Sequence, residues 1–404
     1  MKYIIATLLV LFASFVDIFL FRIGIIPVQP SSFLIPFFFI ICFLKYSIFD
    51  ILDLFKSHTF KLFASILFLT IVYSAVSSAP KDKIITEIVL SIFTLIMYVY
   101  AVQFFRTEDK KIVFLVVFLA FSVLALSVWF DYFVGLPKFT KSLENMARKG
   151  GFGENPNQAS SALKFLALCV LVFLQDSKTK RALFITAMVV SVFMTFSRSG
   201  FISIILILIF GTANNWSAKF KMNPLSLFQS SFKMILVFST IYIGLVIFAG
   251  VIKNEFPNLA QGAMGDRIDL LLGQSEGSVI AEDLGSGGGR GDLLLKFIDK
   301  FIENPLGYGT AYTSDMRYTT HNTHNQYLQY AVNLGFLALF IYVFYLAVSV
   351  NISIRNDQFY YLIFIVLLMF EGLVTHSIFY NRCMLITLAF FDSLVYRKVI
   401  NTLS

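Results

Sequence analysis

Apolar runs recur along almost the whole chain, at 3–21, 31–44, 60–76, 84–105, 112–134, 159–174, 182–196, 200–213, 234–252, 327–350, 359–374 and 384–396. About 20 such residues, rising about 1.5 Å each as a helix, cross a hydrocarbon core of about 30 Å. The chain is only 14% charged and 58% hydrophobic, whereas an ordinary soluble domain is about one-quarter charged. A water-soluble fold is excluded. The expected class is an all-α polytopic membrane protein of about twelve transmembrane helices, although the runs at 31–44 and 200–213 are short for a span.

The first run begins at a charged end, as secretion signals do. No small-x-small cleavage site precedes Arg22, so it reads as the first span. Cys42, Cys169 and Cys383 lie in or beside apolar runs and read as small buried hydrophobes, not a disulfide set or metal cluster. With the N-terminus inside, the inner connections collect Lys45, Lys56, Lys61, Arg106, Lys110, Lys111, Lys178, Lys180 and Arg181, while the shortest outer ones hold Arg22, Lys81, Lys83, Arg198 and Arg382. Lys and Arg accumulate on the cytoplasmic side of short connections, so both termini are expected there. Four regions follow: N-terminal helices over 1–135, central helices with a first outer loop over 136–252, a large outer loop over 253–326, and C-terminal helices over 327–404.

Two outer segments are long and basic, 135–158 with Lys138, Lys141, Arg148 and Lys149, and 253–326 with Arg267, Arg290, Lys296, Lys300 and Arg317. Such a surface suits an anionic, phosphate-bearing substrate, and equally suits a loop whose charges are merely solvated. Within the larger loop, Leu293, Leu294, Phe297, Ile298 and Phe301 fall at helical spacing before Asn304-Pro305. An amphipathic helix is expected over 290–302, on the membrane surface. Arg290 stands at its N-terminus, where unpaired backbone N–H groups and the positive dipole end favour phosphate.

Arg198, in Ser197-Arg198-Ser199-Gly200, joins two short apolar runs. A guanidinium so close to hydrocarbon either snorkels to the interface or faces an anion, a carbonyl or a wet cavity. His321 and His324 stand just before the run at 327–350, and a histidine at that boundary can act as a general base near neutral pH, cap the chain or ligate a metal. No third ligand at matching spacing accompanies them, so no metal is expected. Gly151-Phe152-Gly153-Glu154-Asn155-Pro156-Asn157 marks a turn into a helix. His376, Asn381 and Arg382 gather at the last outer turn, where they either join the same cavity or simply snorkel, and Glu87 and Glu371 are carboxylates inside apolar runs for which the sequence offers no partner.

Taken in order, these pieces resemble the O-antigen ligase and polymerase superfamily of bacterial envelope glycosyltransferases. The resemblance covers roughly 151–342: the glycine and Asn-Pro turn, the Ser-Arg-Ser-Gly junction, Arg290 with its helix, Asn304-Pro305-Leu306-Gly307-Tyr308-Gly309, and His324-Asn325-Gln326-Tyr327-Leu328 leading into Val332-Asn333-Leu334-Gly335-Phe336-Leu337. It implies a GT-C-like enzyme of the bacterial inner membrane that moves a glycan from undecaprenyl diphosphate to an acceptor sugar on the periplasmic face. By that likeness Arg198 and Arg290 match the arginines that hold the diphosphate, and His324 matches the histidine that activates the acceptor hydroxyl. Further substrate contacts are expected from Arg148, Asn155, Asn157, His321, Asn325, Tyr308 and Arg382. His321 repeats the His-Asn pair, which leaves the choice of histidine open. His324 is preferred because it adjoins the apolar run, where packing can fix its ring.

The chemistry of the residues agrees with this reading. Negative charge develops on a departing diphosphate, and arginines offer it bidentate, permanently charged donors. No Asp-x-Asp motif for a metal-nucleotide occurs, so a lipid-linked donor, no metal, no cofactor and no nucleic-acid partner are expected. The acceptor is lipid A-core for a ligase or another lipid-linked repeat unit for a polymerase, with the ligase preferred. A flippase or secondary transporter would share the many spans, but such proteins tend to show internal repeats and helices broken at the midplane.

Overall fold

The computed structural model describes residues 1–28, 30–137, 149–153, 155–247, 290–315, 317 and 322–396. Its helices are α1 (Lys2–Ala13), α2 (Val16–Arg22), α3 (Leu34–Lys45), α4 (Ile48–Leu52), α5 (His58–Ser74), α6 (Lys81–Thr107), α7 (Lys110–Phe133) and α8 (Pro156–Leu171). They continue as α9 (Lys178–Met194), α10 (Arg198–Ala213), α11 (Pro224–Ile247), α12 (Arg290–Glu303), α13 (Gln326–Arg355), α14 (Phe359–Val374) and α15 (Arg382–Tyr396). No strand occurs among the described residues. Several of these helices are strongly apolar, consistent with a membrane protein.

Among the described residues, α6, α7 and α13 are each long and apolar enough to span a membrane, and the total rises to five if each of two bent helix pairs is one span. These helices do not establish the expected count of twelve. Part of the difference is that apolar runs are broken in space. The run at 3–21 becomes α1 and α2, bent by 64° where Phe15 takes a left-handed φ of 62°. Others, such as α5, α10 and α14, are short apolar helices.

Packing centres on α8 and α15. Almost every residue of α8 from Ala159 to Leu171 is buried, as is α15 from Cys383 to Ser393. Helix α15 lies along α6 and α8, while α8 also contacts α7, α9, α10 and α14. Helices that are apolar all round belong in the middle of such a bundle; Cys169 and Cys383 are free and buried on them, and Cys42 is free and buried on α3, as the sequence suggested.

Near hydrocarbon, a charged group must find a partner, and the carboxylates obey. Glu371 of α14 accepts from Lys164 Nζ of α8 at 2.5 Å, and Lys164 also donates to Ser203 Oγ of α10 at 3.0 Å. Glu87 of α6 accepts from Tyr380 Oη at 3.0 Å. Asp392 of α15 accepts from Tyr98 and Tyr361 at 2.7 and 2.6 Å. Lys164 therefore ties the middle of α8 to the early turns of α10 and the last turns of α14, and a bond from Ser197 to Asn157 sets the starts of α8 and α10 side by side.

The glycine-rich turn after α12 and the first part of α13 interlock. Gly335 interrupts α13 with φ 75° and ψ −176°, a conformation almost confined to glycine. Carbonyls near the break accept from the turn instead: Tyr308 N donates to Val332 O at 2.8 Å and Gly309 N to Asn333 O at 3.0 Å, while Phe336 N donates to Pro305 O at 2.9 Å. A Cβ on Gly335 would lie 2.4 Å from Leu306 O. Gly335→Ala should lower stability by at least the conformational cost of about 1–3 kcal/mol. The thermal midpoint of the detergent-purified protein reads this, and an unchanged midpoint would mean that the turn yields freely.

Helix α12 forms where the apolar spacing places it, one residue longer than expected at its C-terminal end. Leu293 and Phe297 are buried in a small cluster with Tyr312 and Val332, so part of its apolar face packs on α13. Leu295 and Ile302 remain exposed beside that contact. The wide apolar stripe thus has two neighbours to satisfy, one of which is the protein itself.

Candidate active site

The turn into α8 is built by backbone satisfaction. Asp131 of α7 accepts from Gly151 N and Leu136 N, each at 3.0 Å, and Ser127 Oγ accepts from Phe152 N at 3.1 Å. Asn155 then caps α8 through its side-chain oxygen, accepting from Asn157 N at 2.9 Å, with Pro156 at the first helical position. Asn157 Oδ1 in turn accepts from Ser197 Oγ at 3.1 Å, which brings the α8 turn against the start of α10.

Each member of Ser197-Arg198-Ser199-Gly200 has a distinct place. Ser197 is the cap of α10, and Gly200 sits so close to α8 that a Cβ would meet Ser160 Oγ at 1.9 Å. Arg198, between them, is the first residue of α10 and is exposed. Close helix approach therefore delivers Arg198 to the end of the bundle where α8 begins. The positive dipole end of α10 adds to its attraction for an anion.

The start of α13 is a second cluster at the same end. Asn325 caps the helix, its Oδ1 accepting from Leu328 N at 3.0 Å and its Nδ2 donating to Leu373 O at 3.3 Å. Gln326 Oε1 accepts from Ile378 N at 2.9 Å, and Gln329 grips Ser377 through both amide atoms at 2.8 and 2.9 Å. These bonds clamp the 375–381 turn onto α13. His324 precedes the cap with a left-handed φ of 46°, half-buried, its ring 5.3 Å from that of His376 at 80° between planes.

The remaining expected contacts fall as follows. Arg382 forms a two-pronged ion pair with the fully buried Asp17 and lies 5.1 Å over the Phe12 ring. Its fork is engaged by the protein. Tyr308 stacks on Tyr312 at 4.4 Å between ring centroids and donates to Glu303 at 3.2 Å. Arg290 opens α12, but its side chain lies outside the described part, as do Arg148, His321 and Glu154. The structure brings Asn157 to the Arg198 turn and Asn325 beside His324. Lys164 joins α8 and α10 to α14, whose Leu373 carbonyl accepts from Asn325.

Two members of this end were not singled out from sequence. Lys164 is a lysine inside the apolar run at 159–174, and its position alone was a signal of the same kind as Glu371. Asp17 lies in the first run and pairs with a residue 365 positions away, which no local pattern could reveal.

The fold and its polar end define an all-helical membrane protein with charged and hydrogen-bonding groups gathered where α8, α10, α13 and α15 begin. Residues 182–343 match the family model described as O-antigen ligase, and this match supports the O-antigen ligase/polymerase superfamily. It takes in Arg198, Arg290 and His324 and leaves Asn155, Asn157, His376 and Arg382 outside. A comparison with curated proteins found no match.

Proposed function

We propose that the chain is a metal-independent membrane glycosyltransferase that moves a glycan from undecaprenyl diphosphate to an acceptor sugar, with lipid A-core as acceptor, at the periplasmic face of the bacterial inner membrane. The family match across Arg198, Arg290 and His324 carries this reading. In the reaction, the acceptor hydroxyl oxygen bonds to the anomeric carbon of the donor glycan while the bond from that carbon to the diphosphate oxygen breaks. His324 takes the hydroxyl proton. Undecaprenyl diphosphate leaves with the bonding electrons, its growing charge met by the guanidinium groups of Arg198 and Arg290.

The direct test supplies purified protein with a lipid-linked glycan and lipid A-core, and looks for the joined product. Cells lacking the gene should then accumulate lipid-linked polymer and core without O-chain, whereas core bearing a single repeat unit would assign polymerisation instead. Arg290→Lys should lose most of the transfer, because an ammonium keeps the charge but not the planar fork that matches phosphate oxygens. Full activity in that variant would reduce Arg290 to a loop charge.

A further inference from the structure

We propose that His376 is a second histidine of the acceptor site, binding a hydroxyl of the acceptor sugar through Nδ1 beside His324. The inference rests on the glycosyltransferase reading above and adds a residue outside the matched segment. Three observations carry it. The His376 ring stands edge-to-face on His324 with centroids 5.3 Å apart, so the two imidazoles are immediate neighbours. Its Nδ1 is buried and has no hydrogen-bond partner among the described residues. The turn that holds it is fixed from both sides, by Gln326 and Gln329 of α13 and by the end of α14.

A ring kept here only for packing would be better as a phenyl group, since a buried nitrogen without a partner is destabilising. Polar atoms left unsatisfied inside an otherwise well-bonded turn are explained when a ligand completes them. Burial, with His324 nearby, pushes the His376 imidazole down to about 4. The ring is therefore uncharged at neutral pH, with one nitrogen able to accept and the other to donate. That is suited to binding a neutral sugar hydroxyl, and unsuited to gripping a diphosphate.

The test uses the purified full-length protein with saturating lipid-linked donor and varied lipid A-core, comparing wild type with His376→Phe and His376→Asn. The phenyl variant keeps the ring contact and removes Nδ1. Its acceptor KM should rise about tenfold, the loss of roughly one hydrogen bond, with donor KM unchanged and thermal midpoint equal or higher. The asparagine variant, whose amide atom can stand near the Nδ1 position, should recover most of the acceptor affinity. A phenyl variant with the wild-type acceptor KM, or one that weakens donor and acceptor equally, overturns the proposal while leaving the transferase reading intact. If the phenyl variant does not fold, an asparagine variant as poor for acceptor as His376→Ala overturns it. Wild-type protein with no transfer at all removes the transferase reading, and His376 with it.

Discussion

His324→Asn is expected to lower the transfer rate by about 10² to 10⁴, the usual consequence of losing a positioned general base. Asparagine is the informative replacement because His324 has a φ of 46°, and Asn is among the few residues that tolerate the left-handed region. Alanine there would add backbone strain to the lost imidazole and blur the result. Retained folding, seen as an unchanged thermal midpoint, together with collapsed turnover in a purified assay, isolates the chemistry. If His324→Asn transfers at the wild-type rate, His324 is not the base, and His321→Ala becomes the variant that decides whether any histidine is.

The second large effect is on stability. The side chains of Lys164 and Glu371 are 1% and 5% exposed and meet at 2.5 Å, so removing either one strands the other inside the bundle. Lys164→Met or Glu371→Gln should each destabilise the protein by about 3–5 kcal/mol. The double variant Lys164→Met/Glu371→Leu should recover most of that, since a buried pair replaced by apolar groups of similar volume is often neutral. Chemical unfolding of the detergent-purified proteins measures all three. Single variants as stable as wild type would show that water reaches the pair, and a double variant no better than the singles would show that packing, not the charge, holds α8 to α14. The pair also bears on the site, because Lys164 reaches Ser203, five positions after Arg198 in α10.

Much of the molecule was legible from its residues alone. The helix at Phe359–Val374 coincides with its apolar run, and α12 follows its apolar spacing to within one residue. The Asn-Pro turn before α8 and the His-Asn-Gln start of α13 are both helix caps. These are local matters, decided by apolar spacing, proline and the hydrogen-bonding reach of a short side chain. The sequence also marked Glu371 and Glu87 as carboxylates in need of partners, because the hydrocarbon leaves them no water.

It could not say who the partners were. Lys164 meets Glu371 across 207 positions and Arg382 meets Asp17 across 365. Asn304 to Gly309 and Val332 to Phe336 could be quoted as separate motifs, but only the folded chain shows that the turn's N–H groups satisfy carbonyls near the Gly335 break. The sequence allowed His376 either to share the cavity of His324 or to snorkel, and only the folded chain sets the two rings 5.3 Å apart. A helix apolar on every side specifies that it must be buried without specifying against what, since any apolar neighbour satisfies it equally well. Here the choice among neighbours rests on close approach at Gly200 and Gly335 and on the few buried charges and carbonyls that tolerate only one arrangement. Those constraints exist only once the helices are packed together.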